Sequence, residues 1–226
     1  MSGSPRLFAV VGMIREARII AGEGVKVVIG GGSSAQLERK LDGLLNALGY
    51  GAPDLMLLSF GVCGALAPDL KAGDLVLGSA VIGAGRSWPT DPQRTEALHA
   101  RLASARIAAV AAGDEAVGSV EAKRALFEAT RAVAVDMESH IVARLAERHG
   151  LPFAVVRAVS DAADHALPPA ALVGMKADGS VDIAAVLGAL ARRPGQFPAL
   201  MRTAREAGAG FKALEGAAAA IRSGFP

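Results

Sequence analysis

Residues 152–165 read PFAVVRAVSDAADH. The apolar run from Pro152 to Val156 lacks polar alternation, so it reads as a strand covered on both faces. It delivers Ser160 and Asp161 at its carboxyl end, with Arg157 just upstream. A carboxylate finishing a buried strand needs a partner or a task, because an unpaired buried charge is costly. In open parallel sheets, ligands bind beyond the carboxyl ends of the strands, which is where this pair falls.

The same pattern repeats outward from this segment. Apolar runs at 7–12, 25–30, 55–60, 74–82, 106–112 and 132–136 read as further strands. Between them, SAQLERKLDGLLNALG (34–49) sets Leu37, Leu41, Leu44, Leu45 and Leu48 on one helical face and ends on Gly49. ESHIVARLAERHG (138–150) also ends on a glycine. Alternating strands and helices predict an α/β fold of three layers, α/β/α, around a mainly parallel, mixed central sheet. No linker or repeat interrupts the pattern. Residues 1–183 read as one domain, and 184–226 as a helical extension of it broken at Pro194 and Pro198.

Composition narrows the class. The 226 residues carry a net charge of +2, so nothing global points to nucleic acid. The single cysteine, Cys63, allows no disulfide within the chain and fits a reducing cytosol. MSGSPR leads straight into a strand-like run, without the pattern of a signal peptide. The longest apolar stretch covers only 55–68, whereas a bilayer-spanning helix needs roughly 20 residues. A cytoplasmic protein is expected. The tail from 184 holds Arg192, Arg193, Arg202, Arg205, Lys212 and Arg222 against Glu206 and Glu215. A basic, apolar helical tail suits an anionic membrane surface, and equally a terminal helix with a solvated charged face.

Three further stretches carry chemistry. GGGSSA (30–35) follows a strand and opens a helix, formally matching a dinucleotide fingerprint. That fingerprint wants an acid after the second strand, and Asp54 precedes the strand at 55–60, which argues against the dinucleotide. A glycine-led helix start still suits an anion, or simply a turn needing positive φ. SFGVCGALAPDL (59–70) places Gly61 and Gly64 after a strand, where a flat ring could approach the backbone or the turn could pack tightly. AVDMESH (134–140) puts Asp136 and Glu138 at a strand-to-helix junction, as caps or as a grip on a diol. His99, His140, His149 and His165 show no metal-ligand spacing among themselves or with Cys63, so no metal is expected. Ser33, Ser34 and Ser160 lack a nucleophile-elbow setting.

Taken in order, VVGMIREA (10–17), SFGVCGALAPDLKAGDLVL (59–77), GDEAVGS (113–119), AVDMES (134–139) and PFAVVRAVSDAAD (152–164) resemble the purine nucleoside phosphorylase and methylthioadenosine/S-adenosylhomocysteine nucleosidase superfamily. Within it, WPTDP (88–92), the DMESH ending, ALPPAALVGMKADGSVD (166–182) and RRPGQFPAL (192–200) are similar to the hopanoid-associated phosphorylase group. The likeness implies a nucleoside phosphorylase-like fold. It also implies cleavage between a purine and ribose C1′, with adenosylhopane as substrate and adenine as product.

The resemblance also assigns roles. Asp161 would protonate the purine at N7, with Ser160 orienting its carboxyl group. Glu138 would bind the 2′- and 3′-hydroxyls, and Met137 would pack on the sugar. Val117 and its neighbours would line the base pocket with Gly61, Val62, Cys63 and Gly64, and Phe153 is a further candidate. In hydrolytic members a first-loop glutamate activates water beside an arginine, which matches Glu16 and Arg157. Many phosphorolytic members contact phosphate through a serine where this chain has Val62. Phosphate would then rest on Gly31, Gly32, Ser33 and Ser34, with Arg15 or Arg18 nearby. Phosphorolysis leads on the likeness to the nearest group, with inorganic phosphate as co-substrate and no cofactor. A hydrolytic nucleosidase and a non-catalytic nucleoside binder are the alternatives. The implied partner is a nucleoside with a lipid 5′ substituent, bound by a homodimer that meets the membrane through its basic tail.

Overall fold

The structure is a computed structural model describing residues 7–31, 33–48, 55–172, 180 and 182–223. Gly32, Gly49 and Asp54, and most of the stretch 173–181, lie outside the described residues. The element order begins β1 (Leu7–Val11), α1 (Ile14–Ile20), β2 (Val25–Ile29), α2 (Ser34–Leu48), β3 (Met56–Ala65) and β4 (Leu75–Gly83). It continues with β5 (Arg86–Pro89), α3 (Pro92–His99), β6 (Arg106–Ala112), α4 (Val120–Thr130), β7 (Ala134–Asp136), α5 (Ser139–His149) and β8 (Phe153–Asp161). α6 (Pro169–Leu172), α7 (Ile183–Arg192), a 3₁₀ turn (Pro194–Gln196) and α8 (Phe197–Arg222) complete it.

The fold is three-layered α/β/α around one mixed sheet, and the strand faces show why. Phe8 and Val10 of β1 join Leu57 of β3 and Phe153, Val155 and Val159 of β8 in a core against α2 and α5. The alternate residues Leu7, Ala9 and Val11, with Met56, Leu58, Phe60, Ala154, Val156 and Ala158, pack on the other side against α1, α3 and α8. β1, β3 and β8 therefore bury both faces, the condition that erases polar alternation. α2 turns Leu37, Leu41 and Leu45 inward, as its period predicts. α8 lies along the second core through Phe211, Leu214, Ala217, Ala218 and Ile221.

The sheet closes on itself. β3 pairs with β8, β8 with β4, β4 with β6, β6 with β7 and β7 with β3, a ring that β1, β2 and β5 extend. Three pairings are antiparallel: β3 with β7, β4 with β5, and β4 with β8. Two expectations change at this level. β3 and β8 run past their apolar cores to Ala65 and Asp161, because ladder pairing carries the polar ends along. Pro198 does not interrupt a helix, since it sits in the first turn of α8, where a missing N–H costs nothing.

β8 and β3 slip register at their functional end. Cys63 faces Val159 and Gly64 faces Asp161, so Ser160 is the extra residue of a bulge. Gly64 leaves the space Asp161 occupies: a Cβ there would lie 3.1 Å from Asp161 Oδ2.

Candidate active site

A cleft of about 170 Å³ opens over the ends of β3, β7 and β8. Its lining includes Gly12, Glu16, Val62, Val117, Glu138 and Asp161, together with Met137, Ser160, Cys63 and Gly64. Residues singled out from five separate stretches of sequence thus meet in one place.

Glu16 stands in the first turn of α1, and its carboxylate is held by three backbone N–H groups. Gly12 and Met13 donate to Oε2, each at 2.8 Å, and Val62 donates to Oε1 at 2.8 Å. Gly61 makes this approach possible, since a Cβ there would come within 2.5 Å of Glu16 Oε1 and 2.6 Å of Arg157 Nη1. Gly61 therefore makes room for the charged groups rather than for a ring, and it is not part of the cleft lining.

Asp136 and Glu138 make different contacts. Asp136 caps α5, accepting from the N–H groups of Glu138 at 3.0 Å and Ser139 at 2.8 Å. The Ser139 hydroxyl also bonds to Asp136. Glu138 makes no side-chain cap and turns to the cleft beside Gly12. Beneath both lies Arg157, fully buried on β8. Its Nε lies 2.8 Å from Asp136 Oδ2, off the ideal hydrogen-bond line. Its Nη2 donates to Ser59 Oγ at 2.7 Å and reaches Glu138 Oε2 at 3.4 Å.

One guanidinium thus faces three buried carboxylates. Burial pushes Glu138 up to about 8, with Asp136 and Glu16 adding to the rise and Arg157 opposing it. Burial also raises Glu16, against Arg157 and the three N–H donors. Burial disfavours the Arg157 cation, but Asp136, Glu138 and Glu16 together outweigh it and raise its affinity for the proton. The Cys63 thiol is pushed up by burial and stays inert.

At the other end of the cleft, Ser160 Oγ lies 2.9 Å from Asp161 Oδ1 and 3.1 Å from the Cys63 carbonyl. Asp161 Oδ2 meets Lys123 Nζ at 2.5 Å. Sequence reading missed Lys123, because a lysine in a helical stretch reads as a surface charge. Its only signal was its place four residues after Ser119, on the inward face of a helix that Ser119 caps.

The residues suggested for phosphate are placed less favourably. Gly31 takes φ +63°, as a turn requires. Ser33 caps α2 by accepting from Gln36 N at 3.4 Å. Ser34 hydrogen-bonds to Asp114, which lies below the usual carboxylate range chiefly for that reason, burial opposing and His140 assisting. Gly31, Ser33 and Ser34 border a small crevice shared with Met137 and Glu138. Arg15 stacks its guanidinium 3.9 Å from the Phe211 ring, and Arg18 is exposed; neither lines the cleft. Phe153 belongs to the core at the far end of β8.

A family model described as the Phosphorylase superfamily matches residues 46–192. The chain belongs to the phosphorylase superfamily. Among solved structures, Helicobacter pylori 5′-methylthioadenosine/S-adenosylhomocysteine nucleosidase superposes with a TM-score of 0.67 at 18% identity, over 98% of each chain. Helicobacter pylori futalosine hydrolase gives 0.65 at 18% identity, over 96% of this chain and 95% of the other. A Streptococcus pneumoniae nucleosidase of the first kind gives 0.58 at 18% identity, over 70% of this chain and 86% of the other. At such identities the likeness is one of fold, and the superfamily's three-layer architecture is the one described above.

Proposed function

We propose that this protein cleaves the N-glycosidic bond of a 5′-substituted adenosine. The observation that carries the reading is the convergence of Asp161, Glu138 and Glu16 on one cleft, each held by its own partners. In this reading the purine lies against Asp161 and receives a proton at N7. The C1′–N9 bond breaks, and its electron pair passes into the ring. Glu138 accepts the ribose hydroxyls, and the buried carboxylates favour the positive charge that develops at C1′. The nucleophile adds to C1′ from the side of Glu16.

Water is the nucleophile that the geometry supports. Glu16 is a tethered carboxylate whose affinity for a proton is raised by burial, which suits a general base. Ser34, in the first turn of α2, already hydrogen-bonds to Asp114, and Arg15 stacks on Phe211. The superfamily name favours phosphate, and phosphorolysis is the second reading. For the 5′ group we propose a lipid, with adenosylhopane the substrate that the sequence likeness suggests. Ile183, Leu187, Phe197 and Met201, four of the five exposed large apolar residues among those described, support a lipid-facing region. A cytoplasmic homodimer touching the inner membrane surface completes the proposal.

The test is adenine release from adenosylhopane and from 5′-methylthioadenosine, with and without inorganic phosphate. Full-rate release without phosphate is expected. A strict requirement for phosphate would reverse the choice of nucleophile, and no release from either nucleoside would remove the activity.

A further inference from the structure

α4 buries a single residue, and that residue is a lysine. Lys123 is 0% exposed, and all three protons of its ammonium group have partners. One points to Asp161 Oδ2 at 2.5 Å, one to the Ala162 carbonyl at 2.8 Å and one to the His165 carbonyl at 2.9 Å. A leucine or methionine would fill this space without desolvating a charge. Of the three acceptors, only Asp161 can take up a proton.

Both ends of this contact tolerate the transfer. A neutral amine keeps two N–H bonds for the two carbonyls and turns its lone pair to Asp161. With the proton on Oδ2, Asp161 donates to that lone pair, 2.5 Å away, while Oδ1 accepts from Ser160 Oγ at 2.9 Å. Neither proton position leaves an orphaned polar atom.

We propose that Lys123 is a positioning residue for Asp161 and the source of the proton that Asp161 hands to the departing purine. The inference rests on the reading of Asp161 as the acid. One proton leaves Lys123 Nζ for Asp161, and one reaches N7. The C1′–N9 electron pair enters the purine, water bonds to C1′, and the proton of that water passes to Glu16. Asp161 is a carboxylate before and after. Lys123 ends as a neutral amine and regains its proton from solvent once the base has left, while Glu16 releases its own.

Other charged groups surround the pair. Glu206 of α8 holds His165 Nδ1 at 2.6 Å and reaches Ala162 N at 3.4 Å, and Asp164 lies 3.7 Å from His165 Nε2. Across the cleft stand Glu16, Asp136, Glu138 and Glu115, with Arg157 beneath and the Cys63 thiol on β3. The pH test therefore compares variants with the wild type rather than reading one profile alone.

Two substrates separate acid catalysis from structure: 5′-methylthioadenosine, and 4-nitrophenyl 5-methylthioriboside, whose nitrophenolate leaves without a proton. Lys123→Met is expected to lose about 10²- to 10⁴-fold in kcat on the nucleoside and to keep the nitrophenyl rate within a few-fold. Its residual nucleoside activity should fall relative to that of the wild type as pH rises through neutrality. Lys123→Arg keeps the charge but does not give up a proton, so it should fail to rescue the nucleoside. Equal losses on both substrates in Lys123→Met would make Lys123 structural and overturn the proposal. Rescue of the nucleoside by Lys123→Arg would overturn the proton source. A wild type inactive on both substrates would instead remove the glycosidic reading beneath it.

Discussion

At the scale of single residues, the cleft is a problem in charge balance. Among the described residues, Arg157 is the only cation touching Asp136 and Glu138, so removing it leaves two buried carboxylates without a countercharge. Arg157→Met should destabilise the fold by about 3–5 kcal/mol, measured by urea denaturation near pH 8. A loss below ~1 kcal/mol there would mean the carboxylates simply take up protons. Glu138 adds a sign to the pH dependence. Its proton is held up to about 8 in the fold, against an ordinary value of 4.5. Its contribution to stability is thus complete below 4.5 and is lost as pH rises to about 8. A ribose diol prefers the ionised carboxylate as acceptor. Binding a non-cleavable nucleoside near pH 7 should therefore release protons, seen as a buffer-dependent heat in calorimetry. Identical heats in two buffers of different ionisation enthalpy would sink this role for Glu138. Asp161→Asn should cost about 10²- to 10⁴-fold in turnover while leaving analogue binding nearly intact. If activity survives that change, Asp161 is not the acid.

Elements show how far pattern and pairing share control. α2 follows its leucine spacing closely, so Leu41→Ala should cost about 2–5 kcal/mol through the cavity it leaves. α3 depends on local chemistry instead. Asp91 accepts from Arg94 N at 2.8 Å, with Pro92 in the first turn. Asp91→Ala should cost about 1 kcal/mol in thermal denaturation and leave kcat unchanged, because α3 lies away from the cleft. β5 was not foreseen, since Arg86–Pro89 is short and largely polar; it forms as the second arm of a hairpin on β4. The ends of β3 and β8 were likewise invisible in hydropathy. Their pairing and the bulge at Ser160 decide where Asp161 stands.

At the scale of the whole molecule, the tail carries most of the exposed large apolar residues among those described. α7 buries none of its residues, and Ile183, Leu187, Phe197 and Met201 are exposed close in sequence to Arg192, Arg193 and Arg205. No helix among the described residues is long and apolar enough to cross a membrane. An interfacial contact remains open to a segment of this composition. Vesicles containing phosphatidylglycerol should sediment the wild type, and Leu187→Ser with Phe197→Ser should abolish this. Equal recovery of wild type and variant in the supernatant would remove the membrane from the proposal.

The sequence by itself determined the layers, the strand cores and the faces of α2 and α5, and its resemblance to a family singled out Asp161, Glu138, Glu16 and Arg157 as candidates. Those features follow from local periodicity and from short motifs, which survive without long-range information. Only the tertiary structure decided the closed ring of strands, the different contacts of Asp136 and Glu138, and the burial of Lys123 against Asp161. Each depends on which strand lies beside which, and on a register shift of one residue. Residues far apart in the chain share one desolvated space there, and no local pattern records that meeting.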